Sequence, residues 1–218
     1  MSPLEKANKW LDTPVEEKQK QVELVMYSCK SGKKMMGFLK KEGYTIQPQD
    51  YYRTEIDRDN KVIKLTVGKS REEGALDLVG AACMVKQEKY YPGLREYTPL
   101  QMEREQIRAT DVEANKCLFV HETAKKFPEM KEAYTGTYDR LEVFEKSLKE
   151  TKDTNAALSA VIEHTAPTFH QATGTAGKKA IDHCKTVCMD FDGKPYFVDS
   201  KKDAVKTAAM AKAKQQGR

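Results

Sequence analysis

The sequence predicts a predominantly helical α+β domain carrying one small sheet. Three observations support this reading. Apolar residues recur at helical spacing along most of the chain, and one stretch near residue 62 interleaves apolar and polar residues at a shorter period. No repeat or low-complexity linker interrupts residues 1–200. The expected organisation is a single helix-rich domain over 1–200, followed by a basic Ala/Lys-rich tail over 201–218.

Taken in order, the elements have local reasons. Pro14 is a start signal for a helix over Val15–Tyr27, which carries Val22, Leu24, Val25 and Met26. "SGKKMMGFLKKEG" predicts a second helix, with Ser31 as N-cap and Gly43 as the C′ residue. The period then changes. In "KVIKLTVG" the residues Val62, Ile63, Leu65 and Val67 interleave with Lys61, Lys64 and Thr66, and "YYRTEID" lies across the turn "RDN", so the pair predicts a β-hairpin. Ser70 with Glu73 forms a capping box for a helix reaching Tyr91, where Pro92-Gly93 breaks it. A long helix is predicted from Pro99 to Lys126, with Ile107, Val112, Cys117, Leu118 and Val120 among its apolar positions. Further helices are predicted over 129–150, 154–165 and 174–188, and "DFDGKPYFVDS" reads as a turn or short hairpin.

Composition narrows the function classes. Apolar residues make up 39% of the chain and its mean hydropathy is −0.73. No run approaches the roughly 18 apolar residues of a membrane span, so no membrane association is expected. The N-terminus has no apolar signal region. Five cysteines, at 29, 83, 117, 184 and 188, are an odd number without a framework spacing, which points to a reducing compartment and a cytoplasmic location. The net charge of +5 comes from the tail, where residues 201–218 hold six Lys/Arg and one Asp, and the other 200 residues balance. A nucleic-acid binder shows a basic stripe on its folded part, so nucleic-acid contact through 201–218 is not the expected role. A helical interaction module with a nucleic-acid-contacting tail stands as an alternative.

Motifs for known chemistry are incomplete. "HETAK" over 121–125 has Lys125 where a zincin helix has its second histidine. Glu113, Cys117 and His121 fall at i, i+4 and i+8 along one helix face, and all three are zinc-ligand types, although one helix rarely supplies three ligands. "DHCKTVC" gathers His183, Cys184 and Cys188 without a CxxC pair. "DFDGKP" opens like a calcium loop, but its twelfth position is Lys201 and not glutamate. No P-loop, GxGxxG or GxSxG is present.

"LDLVGAACMVKQ", residues 76–87, is unusual for its small central residues Gly80, Ala81 and Ala82. Either another element packs close to them, or they stand where functional side chains stand in related chains. The order of strand "KVIKLTVGKS", helix "EGALDLVGAACMVKQ" and helix "PLQMEREQIRATDVEANKCLFVHE" resembles a zinc-metallopeptidase domain family of unknown function, found mainly in alphaproteobacteria, over roughly residues 15–200. That family carries a pattern close to L-x-H-E-x-R-H-x-x-Q on the first helix and R-x-x-E-A-D-A on the second. Leu78 and Gln87 match the ends of the first pattern. Gly80 and Met84 stand at the histidine positions, Ala81 at the general-base glutamate and Cys83 at the arginine. In "RATDVEA", Arg108, Asp111, Glu113 and Ala114 match the second pattern with the acids exchanged.

The resemblance implies a zincin-like helix pair without its catalytic residues. Gly, Ala and Met can neither hold zinc nor take a proton from a zinc-bound water. It therefore implies a bacterial pseudoenzyme that binds a protein or peptide in the former active-site groove, with no catalytic residues and no cofactor. The alternative is a metal-dependent hydrolase with rewired ligands. Its zinc would be held by Asp111, Glu113, Cys117 or His121, with His183 as a further candidate. Without a metal, one of the two acids is expected to pair with Arg104 or Arg108 or to face solvent, and i, i+3 spacing supports Arg108 with Asp111.

Overall fold

The structure is a computed structural model, and it describes residues 3–90, 99–134, 138–173 and 188–196. The expected helix over 174–188 (apart from Cys188), residues His183 and Cys184, and the tail over 201–218 lie outside the described residues.

The architecture is mostly helical with one three-stranded sheet, as the sequence predicts. Helix α1 (Pro3–Leu11) precedes α2 (Val15–Tyr27), whose start at Pro14 places Glu16 and Glu17 in the first turn against the positive end of the helix dipole. Val22, Val25 and Met26 are buried, whereas Leu24 points outward. Helix α3 (Lys30–Lys41) is capped by Cys29 and not by Ser31. The Cys29 Sγ accepts from the Gly32 N–H at 3.3 Å, and the Ser31 N–H, already inside the helix, donates to Glu122 Oε2 at 2.8 Å. Gly43, at φ +82°, is the expected left-handed C′ residue.

The predicted hairpin is present as β2 (Glu55–Asp57) antiparallel to β3 (Val62–Thr66). A further strand, β1 (Thr45–Gln49), pairs parallel to β3 on its other edge, giving the order β1-β3-β2. The central strand is the buried one, with Ile63 and Leu65 fully enclosed. The edge position of β1 tolerates Pro48, which lacks an N–H for a ladder.

Helix α4 (Arg71–Tyr90) starts on the Ser70 Oγ, which accepts from the Glu73 N–H at 3.1 Å. It is the axis of the fold, contacting α2, α3, β3, α5 (Pro99–Thr123) and α6 (Glu129–Ala133). A helix enclosed on several sides buries more than a narrow apolar stripe. Ala75, Leu78, Val79, Ala82 and Cys83, at i, i+3, i+4, i+7 and i+8, form one fully buried face, and the buried Leu76, Ala81 and Val85 extend it on both flanks. The small residues let neighbours approach from more than one side. The tight spot is Gly74, where a Cβ would lie 2.8 Å from Val22 Cγ2 and 3.4 Å from the Thr66 carbonyl oxygen. At Gly80 a Cβ would meet nothing closer than 3.9 Å.

The helix predicted over 129–150 is two helices, α6 and α7 (Tyr138–Thr151), separated where the sequence reads "YTGT". Helix α8 (Thr154–Thr173) runs past its predicted end and packs on α7 and α5. In the segment 188–196, Met189 and Pro195 form an antiparallel bridge closed by an Asp-Gly turn. There Asp190 Oδ1 accepts from the Asp192 and Lys194 N–H groups at 2.8 and 2.9 Å. This matches the turn reading of "DFDGKP". No described helix is long and apolar enough to cross a membrane.

Candidate functional site

Two polar assemblies flank the α4–α5 contact, one closed and one open. In the closed one, Lys86 on α4 is fully buried, and its Nζ donates to Asp111 Oδ1 at 2.9 Å, the Met189 carbonyl at 2.7 Å and Tyr196 OH at 3.0 Å. Asp111 on α5 also accepts from Gln87 Nε2 at 2.8 Å and Asn115 Nδ2 at 3.1 Å. Burial alone would lower the Lys86 pKa, but the Asp111 carboxylate more than reverses this, so the ammonium stays charged. Burial raises the Tyr196 phenol, with Asp111 acting in the same direction. Every strong donor of Lys86 is engaged by the protein. This assembly docks the 188–196 segment against the helix pair.

The open assembly is a cleft of about 420 Å³ beside α4 and α5, reaching α6 and α7. Lys69, Glu73 and Asp77 line the α4 side, and Glu113, Lys116 and Arg140 line the other. Glu113 Oε2 accepts from Arg140 Nη1 and from Tyr134 OH, both at 3.0 Å, and Lys116 Nζ lies 3.7 Å from Oε1. The Glu113 carboxylate is thus already held by a cation and a phenol. Asp77 differs: among the described residues its one hydrogen bond comes from Thr54 Oγ1 at 3.3 Å. Burial pushes its carboxyl above the usual range, and the nearby Lys116 charge and the Thr54 bond only partly oppose that.

The positions singled out by sequence do not converge. Gly80 faces Val112 and Lys116 of α5, Ala81 is buried, and Met84 is 44% exposed. Gly80 and Met84, one turn apart, share the less buried side of α4, whereas Ala81 turns inward. Asp111 and Glu113 point to opposite assemblies, and the cation on Asp111 is Lys86, in place of Arg108. Cys117 Sγ lies 3.4 Å from Tyr134 OH, and burial pushes its thiol up to about 12. His121 Nδ1 lies 3.3 Å from Glu145 Oε1. Glu113 and Cys117 thus share the Tyr134 hydroxyl, just after α6, while Arg140 and Glu145 of α7 meet Glu113 and His121 respectively. Among the described residues no three His, Cys, Asp or Glu side chains are grouped to hold a metal ion.

No family model, curated protein or solved structure matches this chain.

The cleft's own geometry therefore carries the functional argument. Its walls hold three cations and three carboxylates but little apolar surface. Such a site orients a polar ligand by charge and hydrogen bonds, and gains little from burying apolar groups. Sequence reading singled out Glu113 here and missed Asp77, Lys69, Lys116 and Arg140. Glu73 and Asp77 do sit one helical turn apart in the sequence, and that like-charged pair was a visible signal.

Proposed function

We propose that this chain is a non-catalytic binding domain that seats a peptide or an extended protein segment in the cleft bounded by Lys69, Glu73, Asp77, Glu113, Lys116 and Arg140. The observation that carries the reading is the mixed charge of this open space beside the α4–α5 pair. A peptide presents amide groups and charges of both signs within a few ångströms, which suits walls of both signs. A polyanion would meet three carboxylates, and an apolar ligand would find little surface to share. The resemblance to a metallopeptidase domain lacking its His-Glu-x-x-His supports the non-catalytic part of the reading only, since Gly80, Ala81 and Met84 do not line this cleft.

The test is affinity selection of a random hexapeptide pool on the full-length protein, read by mass spectrometry, beside the rim variants Lys69→Glu and Glu73→Lys. Peptides retained intact by the wild type, and at least tenfold less by both variants, are expected. No retention, or retention indifferent to both variants, defeats the proposal. One zinc per chain together with cleavage of the pool would instead establish the rewired hydrolase.

A further inference from the structure

We infer that Asp77 receives the free α-ammonium group of the peptide, so that the cleft reads the N-terminal end of its ligand. The inference rests on the peptide reading above and deepens it. Asp77 lines the cleft from α4, and a single hydroxyl, that of Thr54, hydrogen-bonds to its carboxylate. No Lys, Arg or His nitrogen of the described residues lies within ion-pair distance of it. Lys116 and Lys69 act on it from beyond ion-pair distance, and Arg140 and Lys116 sit 3.0 and 3.7 Å from Glu113.

Glu73 lies one turn before Asp77 on the same wall. Glu73 adds a second negative side chain to that wall, which favours a cationic group on the ligand. Burial disfavours the ionised Asp77, the Lys116 and Lys69 charges and the Thr54 bond offset this only in part, and an arriving ammonium adds to them. A metal ion is a poorer occupant, since no three ligand-type side chains are grouped here among the described residues. An α-ammonium is protonated for the most part at neutral pH, with an ordinary pKa of about 8. The carbonyl of the same residue sits one bond further on, positioned to accept from a lysine such as Lys69 or Lys116. A lysine side chain brings its ammonium without that adjacent acceptor.

The experiment compares two lysine-free random hexapeptide pools on the full-length protein, one with free N-termini and one N-acetylated. Retention of the free pool is expected to exceed that of the acetylated pool at least tenfold. Asp77→Asn should remove this difference by weakening the free pool alone, while melting shows that the variant is folded. Equal retention of the two pools, with dependence on Lys69 and Glu73 kept, overturns the inference and leaves the peptide reading standing. Retention that appears only when lysine is restored to the pool also overturns it. Failure of lysine-containing and lysine-free pools alike defeats both.

Discussion

Lys86 Nζ lies 2.8 Å from Asp111 Oδ2, with the side chains 0% and 3% exposed, and this ion pair joins three parts of the chain. The lysine comes from α4 and the aspartate from α5, while Met189 and Tyr196 bring in the segment near the C-terminal end of the described residues. Removing one partner of a buried pair strands the other charge, at about 3–5 kcal/mol. Lys86→Met is therefore expected to destabilise by about that amount in urea unfolding. Adding Asp111→Asn to it should recover part of the loss, because a neutral amide in place of the carboxylate leaves no buried charge. A double variant no more stable than Lys86→Met would contradict this account.

The two glycines of α4 make opposite predictions. Gly74→Ala places a methyl group 2.8 Å from Val22 Cγ2, and overpacking of this kind costs about 1–3 kcal/mol. Gly80→Ala meets only ordinary contacts and removes a helix-interior glycine, so a gain of up to about 1 kcal/mol is expected. Thermal melts of the two variants check both signs. Destabilisation by Gly80→Ala would restore the idea that close packing requires the small residue there.

Asp77 makes a pH-dependent prediction whose sign follows from its raised pKa. Below the ordinary aspartate pKa, the carboxyl is protonated in folded and unfolded chains alike and carries no penalty. As pH rises through the raised folded value, the folded chain must ionise it against burial, and stability is lost. Asp77→Asn should therefore raise the melting temperature at pH 7, with the gain shrinking to nothing near pH 3. A residue that lowers stability while facing an open cleft fits a binding role. A lower melting temperature for Asp77→Asn at pH 7 would show that the carboxylate has a strong internal partner.

Metal dependence separates the two functional readings. With Cys117 near Tyr134 and His121 near Glu145, chelation by EDTA is expected to leave the melting temperature unchanged. Cys117→Ala and His121→Ala should then alter stability only through packing and the single hydrogen bonds they remove. A drop of several degrees on chelation, matched by one zinc per chain and its loss in both variants, would establish these side chains as ligands.

The buried thiols give a chemical check on the core. Burial pushes both Cys83 and Cys117 up to about 12, so little thiolate exists at pH 8. Iodoacetamide should label neither in the native protein and both in urea. Fast native labelling of Cys83 would mean that α4 is not enclosed on that side.

Much of the fold was legible because its signals are local. Pro14 and the apolar positions after it predict α2 to the residue, and the Ser70 hydroxyl marks the start of α4. The hairpin follows from the interleaved residues around Leu65. Strand β1 was not legible: "TIQPQ" has one large apolar residue and a proline, and only pairing with β3 makes it a strand. Cys29 as a cap was equally hidden, since Ser31 is the more usual capping type. The break between α6 and α7 was missed because helical spacing resumes beyond it.

The sequence by itself determined the class of the molecule, most of its helices and the incomplete state of every familiar catalytic motif. Tertiary structure alone decided which charged residues are internal and which face an open space. Helical spacing puts Lys86 on the stripe of Ala75, Leu78, Val79, Ala82 and Cys83 but names no partner for it, and it does not separate Asp77 or Lys116 from surface charges. Burial by distant elements makes Lys86 a core residue paired across 25 positions with Asp111, and leaves Asp77 half-buried without an ion partner among the described residues. Desolvation and pairing depend on what surrounds a side chain in space, and helical periodicity carries no record of that.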